Sequence, residues 1–482
     1  MQKGYKRRFE AMKILAESQV EEIHSATLQL LQDTGFVFES KRVLKLLEDR
    51  GCAVNQETMV AKIPPGLVEW AIEQAPSSFM VRARDPEKSV MFGGNTMYFF
   101  NSAGARHTDI DTGTTSVATR EQNDRAVLVS DALESVNAFP SYTPYFEIEG
   151  VAPVMTCPVS CAQRMRFSTK PSRGATEAES YLWEIQIAQA CDCQLLGLIS
   201  IHPPLKLSPE GCDAAFRYIE AGFPMYLAAG SPMGAGHPVT LAGATVYHNA
   251  ENLAMLVLVQ CIKAGTGVIV DNFVSGLDMR SGDLNFGSAG CALHHMAFNQ
   301  IWHHLYGIPI NNVGSAFSNS KMVDYQLGAE KLPLAMCSAL SGASMITLHG
   351  GVTAELAYSP ILAIIDDDIA KSIGRIIEGF EVNDETIGLD VIKEVGFGGS
   401  FLVSAQTRKF WRTEDFMPAV FDKTSYQEWT NTGKKTVVEK AKARYEEILA
   451  THKPAPLPPA QDGEIERILR EAEGYYRKKG LM

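Results

Sequence analysis

Residues 225–272, MYLAAGSPMGAGHPVTLAGATVYHNAENLAMLVLVQCIKAGTGVIVDN, hold two short apolar runs separated by one long helical pattern. The runs MYLAA (225–229) and VIVDN (268–272) do not alternate apolar with polar residues, as a half-exposed strand would; both faces are therefore buried. Between them, residues 249–264 carry a helical pattern, and Lys263 and Gly265 close it. Strand, helix, strand in that order is the unit of a parallel sheet.

Working outward, the same kind of run recurs at 136–139 (VNAF), 166–169 (RFST), 195–201 (LLGLISI), 310–313 (INNV), 345–348 (MITL) and 361–365 (ILAII). With the first two, that makes eight expected strands over roughly 250 residues, the size of a closed (β/α)8 barrel. An open doubly wound sheet is the alternative. Before residue 119 the texture is different. A helix from Ser18, with Glu21 in a capping-box position, buries Val20, Ile23, Thr27, Leu30 and Leu31. A second helix starts at Ser40, and glycine-punctuated strands include Tyr98 to Phe100. The expected organisation is an α/β, TIM-type barrel at 119–422, an N-terminal α+β extension at 1–118 and a C-terminal helical tail at 423–482. The proline-rich stretch KPAPLPPAQ in the tail is a linker, followed by a terminal helix that would sit on a neighbour.

The chain has 482 residues, 45% hydrophobic and 21% charged, with a net charge of −12. Nucleic acid and anionic membranes, which demand basic patches, are not expected partners. The N-terminus has no apolar run of signal-peptide length, and residues 253–262 fall short of the ~20 needed to span a bilayer. Nine cysteines, an odd number, suit a reducing cytoplasm. Cys157 with Cys161 and Cys191 with Cys193 lack a second pair at zinc spacing. His294, His295, His303 and His304 share a helix without an H-E-x-x-H motif and read as surface histidines, so no metal site and no zinc are expected. Glycine signatures of dinucleotide, P-loop and hydrolase sites are missing.

What remains is aromatic and polar. A barrel builds its site at the C-terminal ends of its strands. There the sequence places Tyr142, Tyr145, Phe273 and Phe317, with Tyr98 and Phe100 nearby, as candidate rings for holding a quaternary ammonium by cation–π attraction. Polar residues at expected strand ends are His202, Asp271, Asn272, Asn311, Asn312 and His349. Of these, Asp271 and His349 are the candidate catalytic residues, and His202 and Asn312 candidate substrate ligands. Asp366, Asp367 and Asp368 read as the start of a helix, where the dipole favours acids.

Several stretches then resemble the trimethylamine:corrinoid methyltransferase superfamily: PMGAGHPVTLAGATVYHNAENLAMLVLVQ (232–260), GTGVIVDNFVSGLDMRSGDLNFGS (265–288), SNSKMVDYQLGAEK (318–331), the segment 365–402 followed by FMPAVFD, and STKP (168–171). The resemblance implies a (β/α)8 barrel that moves a methyl group from a methylated amine to Co(I) of a separate corrinoid protein, since no D-x-H-x-x-G cobalamin motif occurs here. Trimethylamine members carry pyrrolysine in or near 311–331. This chain has ordinary residues there, with Lys321 and Lys331, so it is similar to the non-pyrrolysine branch that uses quaternary amines. Glycine betaine is the favoured substrate; proline betaine, carnitine, γ-butyrobetaine, or a non-catalytic quaternary-amine-binding role are the alternatives. Where the family has F-G-S-P-E, this chain has Phe286, Gly287, Ser288, Ala289 and Gly290, so acid–base detail is not carried over. A homo-oligomer is expected.

Overall fold

The computed structural model describes residues 1–142 and 144–482. Among them, eight parallel strands close a barrel: β1 (Thr96–Asn101), β2 (Val136–Ala138), β3 (Ser172–Arg173), β4 (Leu195–Ser200), β5 (Met225–Ala228), β6 (Val268–Asn272), β7 (Ile310–Asn312) and β8 (Met345–His349). Consecutive strands pair; β2 meets β3 where Phe139 lies opposite Ser172, and β8 returns to β1 with Met345 opposite Tyr98. A helix follows each strand: α1 (Arg120–Ala132), α2 (Thr156–Phe167), α3 (Tyr181–Ala190), α4 (Pro209–Glu220), α5 (Leu241–Ile262), α6 (Ala289–Gln300), α7 (Tyr325–Leu340) and α8 (Pro360–Ile377). The (β/α)8 architecture read from the alternation is the architecture found.

Three strand assignments differ. β1, expected in the N-terminal extension, belongs to the barrel, because its ladder partners are β8 and β2. Residues 166–169 end α2 and enter a loop; the strand itself is two residues further on. The run ILAII at 361–365 is the buried face of α8, whose apolar spacing continues through Ile369, Ile373 and Ile377. The aspartates 366–368 are therefore mid-helix, and Ser359 caps α8 instead. At the chain's first helix, Glu17–Asp33, the cap is Ala16, whose amide donates to Gln19 Oε1, rather than Ser18.

The pleat sorts side chains into two cores. Tyr98, Phe100, Ala138, Leu196, Leu198, Tyr226, Ile269 and Met345 point into the barrel. Met97, Phe99, Ile346 and Leu348 point outward onto Ala335 and Ala339 of α7 and Ile369 and Ile373 of α8. The barrel floor is filled by the hairpin Ser78–Val81 and Val90–Gly93, which contributes Val81, Val90 and Phe92. Gly267, just before β6, permits that approach: a Cβ there would meet Phe79 at 2.4 Å.

The N-terminal helices pack on α5 beside a small sheet that also recruits Lys206–Leu207. The helix Val437–Thr451 packs on α8 and α1. The terminal helix Pro459–Lys478, expected on a neighbour, docks on its own chain. It buries Ile465, Ile468, Ala472 and Tyr476 against α3, and Arg166 reaches Asp462 at 2.7 Å and Glu466 at 2.6 Å. Among the described residues, no helix is long and apolar enough to cross a membrane.

Candidate functional site

The C-terminal ends of the strands enclose a cavity of about 290 Å³. All eight contribute at their ends or in the loops that follow: Phe100 and Asn101, Pro140 and Tyr142, Arg173, Leu198 and Ser200, Ala228, Asp271 and Phe273, Val313 and Phe317, and Thr347. Such a volume sits at the lower edge of the ~300–1,000 Å³ typical of small-molecule sites, so it suits a solute of few heavy atoms.

One side of the cavity is aromatic. Phe273 and Phe317 lie edge to face with centroids 5.8 Å apart, and Phe286 packs behind both at 6.1 and 5.2 Å. Across from them Tyr142 and Phe146 are in contact at 4.2 Å, and Phe146 forms a 38%-exposed rim. Benzene faces of this kind attract cations without hydrogen bonding them, which suits a charge wrapped in methyl groups.

The polar groups are few. The Arg173 guanidinium lies 4.7 Å over the Tyr226 ring and 5.9 Å from the Phe100 ring, and its Nε donates to Ser141 Oγ at 3.2 Å. It stands over a supporting layer. Buried Arg164 donates to the Arg173 carbonyl at 3.4 Å and to that of Ser141, and pairs with buried Glu184 at 3.5 Å. Burial pushes the Asp271 carboxyl up to about 8, and the Arg173 charge and Tyr226 hydroxyl offset that only partly. Its Oδ1 has no hydrogen-bond partner. Burial likewise pushes Glu355 up to about 7. Both carboxyls thus hold a proton near neutrality unless a cation enters beside them.

Of the residues expected from sequence, Phe100, Tyr142, Asp271, Phe273 and Phe317 line this cavity. Five others do not. Tyr98 is two residues lower on β1 and packs on Phe92 in the floor, 5.7 Å between centroids. Tyr145 faces away from its neighbour Phe146, buried against Tyr358 with its hydroxyl 2.9 Å from His107. Asn312 is on the outward side of β7 by strand alternation and exchanges amide bonds with Asn299 of α6 at 2.8 and 3.1 Å. His202 is exposed in the loop after β4. His349 would point inward by parity, but the register of β8 shifts between Thr347 and His349, and the ring faces out. There its Nε2 is 2.8 Å from Ser135 Oγ, and burial pushes its pKa down to about 3, which leaves it neutral and away from the cavity.

Phe146, which follows the first strand with Tyr142, also lines the cavity, and Arg173, Glu177 and Glu355 are cavity residues that the sequence reading passes over. Arg173 ends a two-residue strand, too short to register as a run. Glu355 follows GGVTA after β8, in the loop where a barrel places functional groups. His294 and His295, expected on a helix surface, are fully buried. The nine cysteines are free thiols, all buried except the half-buried Cys337. Among the described residues no group of three or more His, Cys, Asp or Glu is arranged to hold a metal ion.

Fold and cavity together define a (β/α)8 enzyme with an aromatic, acid-bearing mouth. The chain matches the trimethylamine methyltransferase (MTTB) family over residues 1–474 and belongs to it; it is a methyltransferase. It is 29% identical over 474 residues to the glycine betaine methyltransferase of Desulfitobacterium hafniense strain Y51, covering 95% of this chain and 96% of that one. It is 26% identical over 463 residues to the trimethylamine methyltransferase MttB of Methanosarcina thermophila, covering 92% and 94%. Among solved structures, the monomethylamine methyltransferase MtmB of Methanosarcina barkeri matches with a TM-score of 0.48 and 12% identity, over 97% of this chain and 94% of that one.

Proposed function

We propose that this methyltransferase takes a small quaternary amine bearing a carboxylate, glycine betaine foremost, and passes one methyl to Co(I) of a separate corrinoid protein, leaving dimethylglycine. The observation that carries this reading is the pairing, across one small cavity, of aromatic faces and buried carboxyls with a single arginine. The trimethylammonium group lies against Phe273 and Phe317 with Asp271 and Glu355 as counter-charges. The substrate carboxylate meets the guanidinium of Arg173, the geometry arginine binds best.

The chemistry fits a quaternary donor. Its leaving group is a neutral tertiary amine, so the C–N bond breaks with its electron pair staying on nitrogen and no proton is required. Co(I) supplies the pair for the new bond to carbon. The cavity's task is to strip water from the cation and aim one methyl outward to the acceptor. No lysine lines the cavity: Lys331 is buried behind it, 2.6 Å from Asp366, and Lys321 is exposed. His349, neutral and turned out of the barrel, takes no part in the proposed step, and Asp271 acts as counter-ion to the substrate cation. Free thiols fit a reducing, cytoplasmic setting, which Co(I) chemistry also needs.

Calorimetric titration with glycine betaine, γ-butyrobetaine, carnitine, choline and trimethylamine tests the substrate. Tightest binding of glycine betaine, with choline weaker for want of a carboxylate, supports it. Binding of trimethylamine alone overturns it.

A further inference from the structure

After α8 the chain leaves the body as an arm, residues 379–418, and rejoins it where buried Asp368 accepts the amides of Ala419 and Val420 at 2.7 Å and of Phe421 at 3.0 Å. The arm is three short helices, Asp384–Ile387, Leu389–Val395 and Ala405–Phe410, held to one another by Lys409 on Glu385 and by Gln406 on the Glu385 carbonyl at 2.9 Å. Two features stand out. One is a hollow of about 540 Å³ whose apolar wall is Phe380, Val382, Ile387, Phe410 and Trp411 and whose remaining wall is polar, Glu381 and Glu414 included. The other is an apolar prow. Phe397 is fully exposed at a tip between Gly396 and Gly398, both at positive φ, and Leu402 and Val403 are 77% and 73% exposed nearby.

Monomeric soluble proteins rarely leave contiguous apolar patches beyond a few hundred Å². An aromatic ring buries ~150–250 Å². Phe380, Phe397, Phe401 and Trp411, with Leu402 and Val403, therefore offer roughly 800 Å² per copy, the share each partner contributes to a standard stable interface. Hollow and prow lie on the same arm, so a two-fold axis would seat each copy's prow in the other's hollow. Self-complementarity of that kind is what an isologous interface requires.

Position excludes the methyl acceptor as the occupant. α8 starts at the barrel mouth after β8 and runs back against the strands. At its far end the Ile377 carbonyl accepts from the Arg8 amide, beside Tyr5–Lys6, which pair with Met97 and Thr96 at the start of β1. Arg8 then reaches Glu381 on the arm at 2.8 Å. The arm springs from the closed end of the barrel, opposite the cavity.

We propose that this arm is the interface between two copies of the chain, closed by reciprocal insertion of the Phe397 prow into the Phe380–Trp411 hollow, which leaves both barrel mouths free. Sedimentation velocity of the full chain, wild type against Phe397→Asp and Leu402→Asp, tests it across micromolar concentrations. Met279→Asp, a 71%-exposed residue in the loop after β6 on the mouth side, is the control. The wild type and Met279→Asp should sediment as dimers or multiples of them. Each arm variant should raise the dissociation constant by about 30-fold or more, the loss expected at an interface hot spot, with an unchanged near-ultraviolet circular dichroism spectrum. Amide exchange in residues 379–418 should slow as the wild type is concentrated. A monomeric wild type, an assembly that survives both arm variants, an arm whose exchange ignores concentration, or slowing of that exchange only when the corrinoid protein is added would each overturn the proposal.

Discussion

At the scale of single residues, the proposed function divides the work of the cavity between Asp271 and Arg173. Burial makes Asp271 hold its proton up to about pH 8 in the folded chain, whereas the same carboxyl ionises near 4 in the unfolded chain. A bound ammonium favours the carboxylate, so binding releases a proton. Affinity for glycine betaine should therefore rise with pH and level off near 8, and in Asp271→Asn the dependence should flatten; calorimetry in buffers of different ionisation enthalpy reads both. Stability runs the other way. The folded state binds more protons than the unfolded one between about pH 4 and 8, so Asp271 makes unfolding easier as pH rises through that window, and Asp271→Asn should remove that part of the slope. Arg173→Gln loses a charge-assisted contact of about 1.5–3 kcal/mol, so the Kd for glycine betaine should rise by roughly 10- to 150-fold, with tetramethylammonium binding unchanged. Equal loss for both ligands would remove Arg173 from carboxylate recognition. Tyr98→Ala should cost stability, about 3–5 kcal/mol for a buried ring, and leave cation affinity intact in the protein that folds.

Elements explain why those residues stand where they do. The loop after β8, which brings Glu355 to the cavity, is pinned by a fully buried pair. Lys331 Nζ of α7 donates to Asp366 Oδ2 of α8 at 2.6 Å and to the Gly351 carbonyl at 3.2 Å, while Asp366 accepts the Gly350 amide at 2.8 Å. Lys331→Met strands a buried carboxylate and should destabilise by about 3–5 kcal/mol in chemical denaturation, and Lys331→Met with Asp366→Leu should regain most of it. A double variant as unstable as the single would mean the pair is more than charge compensation. Elements also decide what was legible in the sequence. β4, β5, β6 and β8 are largely apolar runs bounded by glycine or polar residues, and with the shorter β7 (INN) they announce the barrel. β3 is two residues long, and Arg173 was hidden with it. ILAII at 361–365 looks the same whether strand or helix, and only its continuation at Ile369 and Ile373 separates the two. Position at a strand end named Asp271 and Phe273, and equally Asn312 and His349. That position alone does not say which face a residue takes: alternation along β7 turns Asn312 outward onto Asn299, and a register shift in β8, set by pairing with a distant strand, swings His349 out of the barrel.

At the scale of the whole molecule, the two ends of the barrel differ: a mouth with an aromatic, acid-bearing lining, and a floor plugged by the hairpin at 78–93 and extended by the arm. The net charge of −12 attracts cations over anions at long range, but glycine betaine is a net-neutral zwitterion, so added salt should weaken tetramethylammonium binding more than glycine betaine binding. In the proposed reaction a corrinoid protein docks at the mouth, so its docking and the chain's self-association should not compete; methyl-transfer rates should be the same for the wild type and for dimer-deficient Phe397→Asp at saturating acceptor. The decisive observation is spectroscopic. Pure protein mixed anaerobically with a reduced corrinoid protein and glycine betaine should convert the Co(I) absorbance to that of methyl-Co(III) and yield dimethylglycine in equal amount. Conversion with trimethylamine but not with glycine betaine, or with no quaternary amine at all, would contradict the assignment.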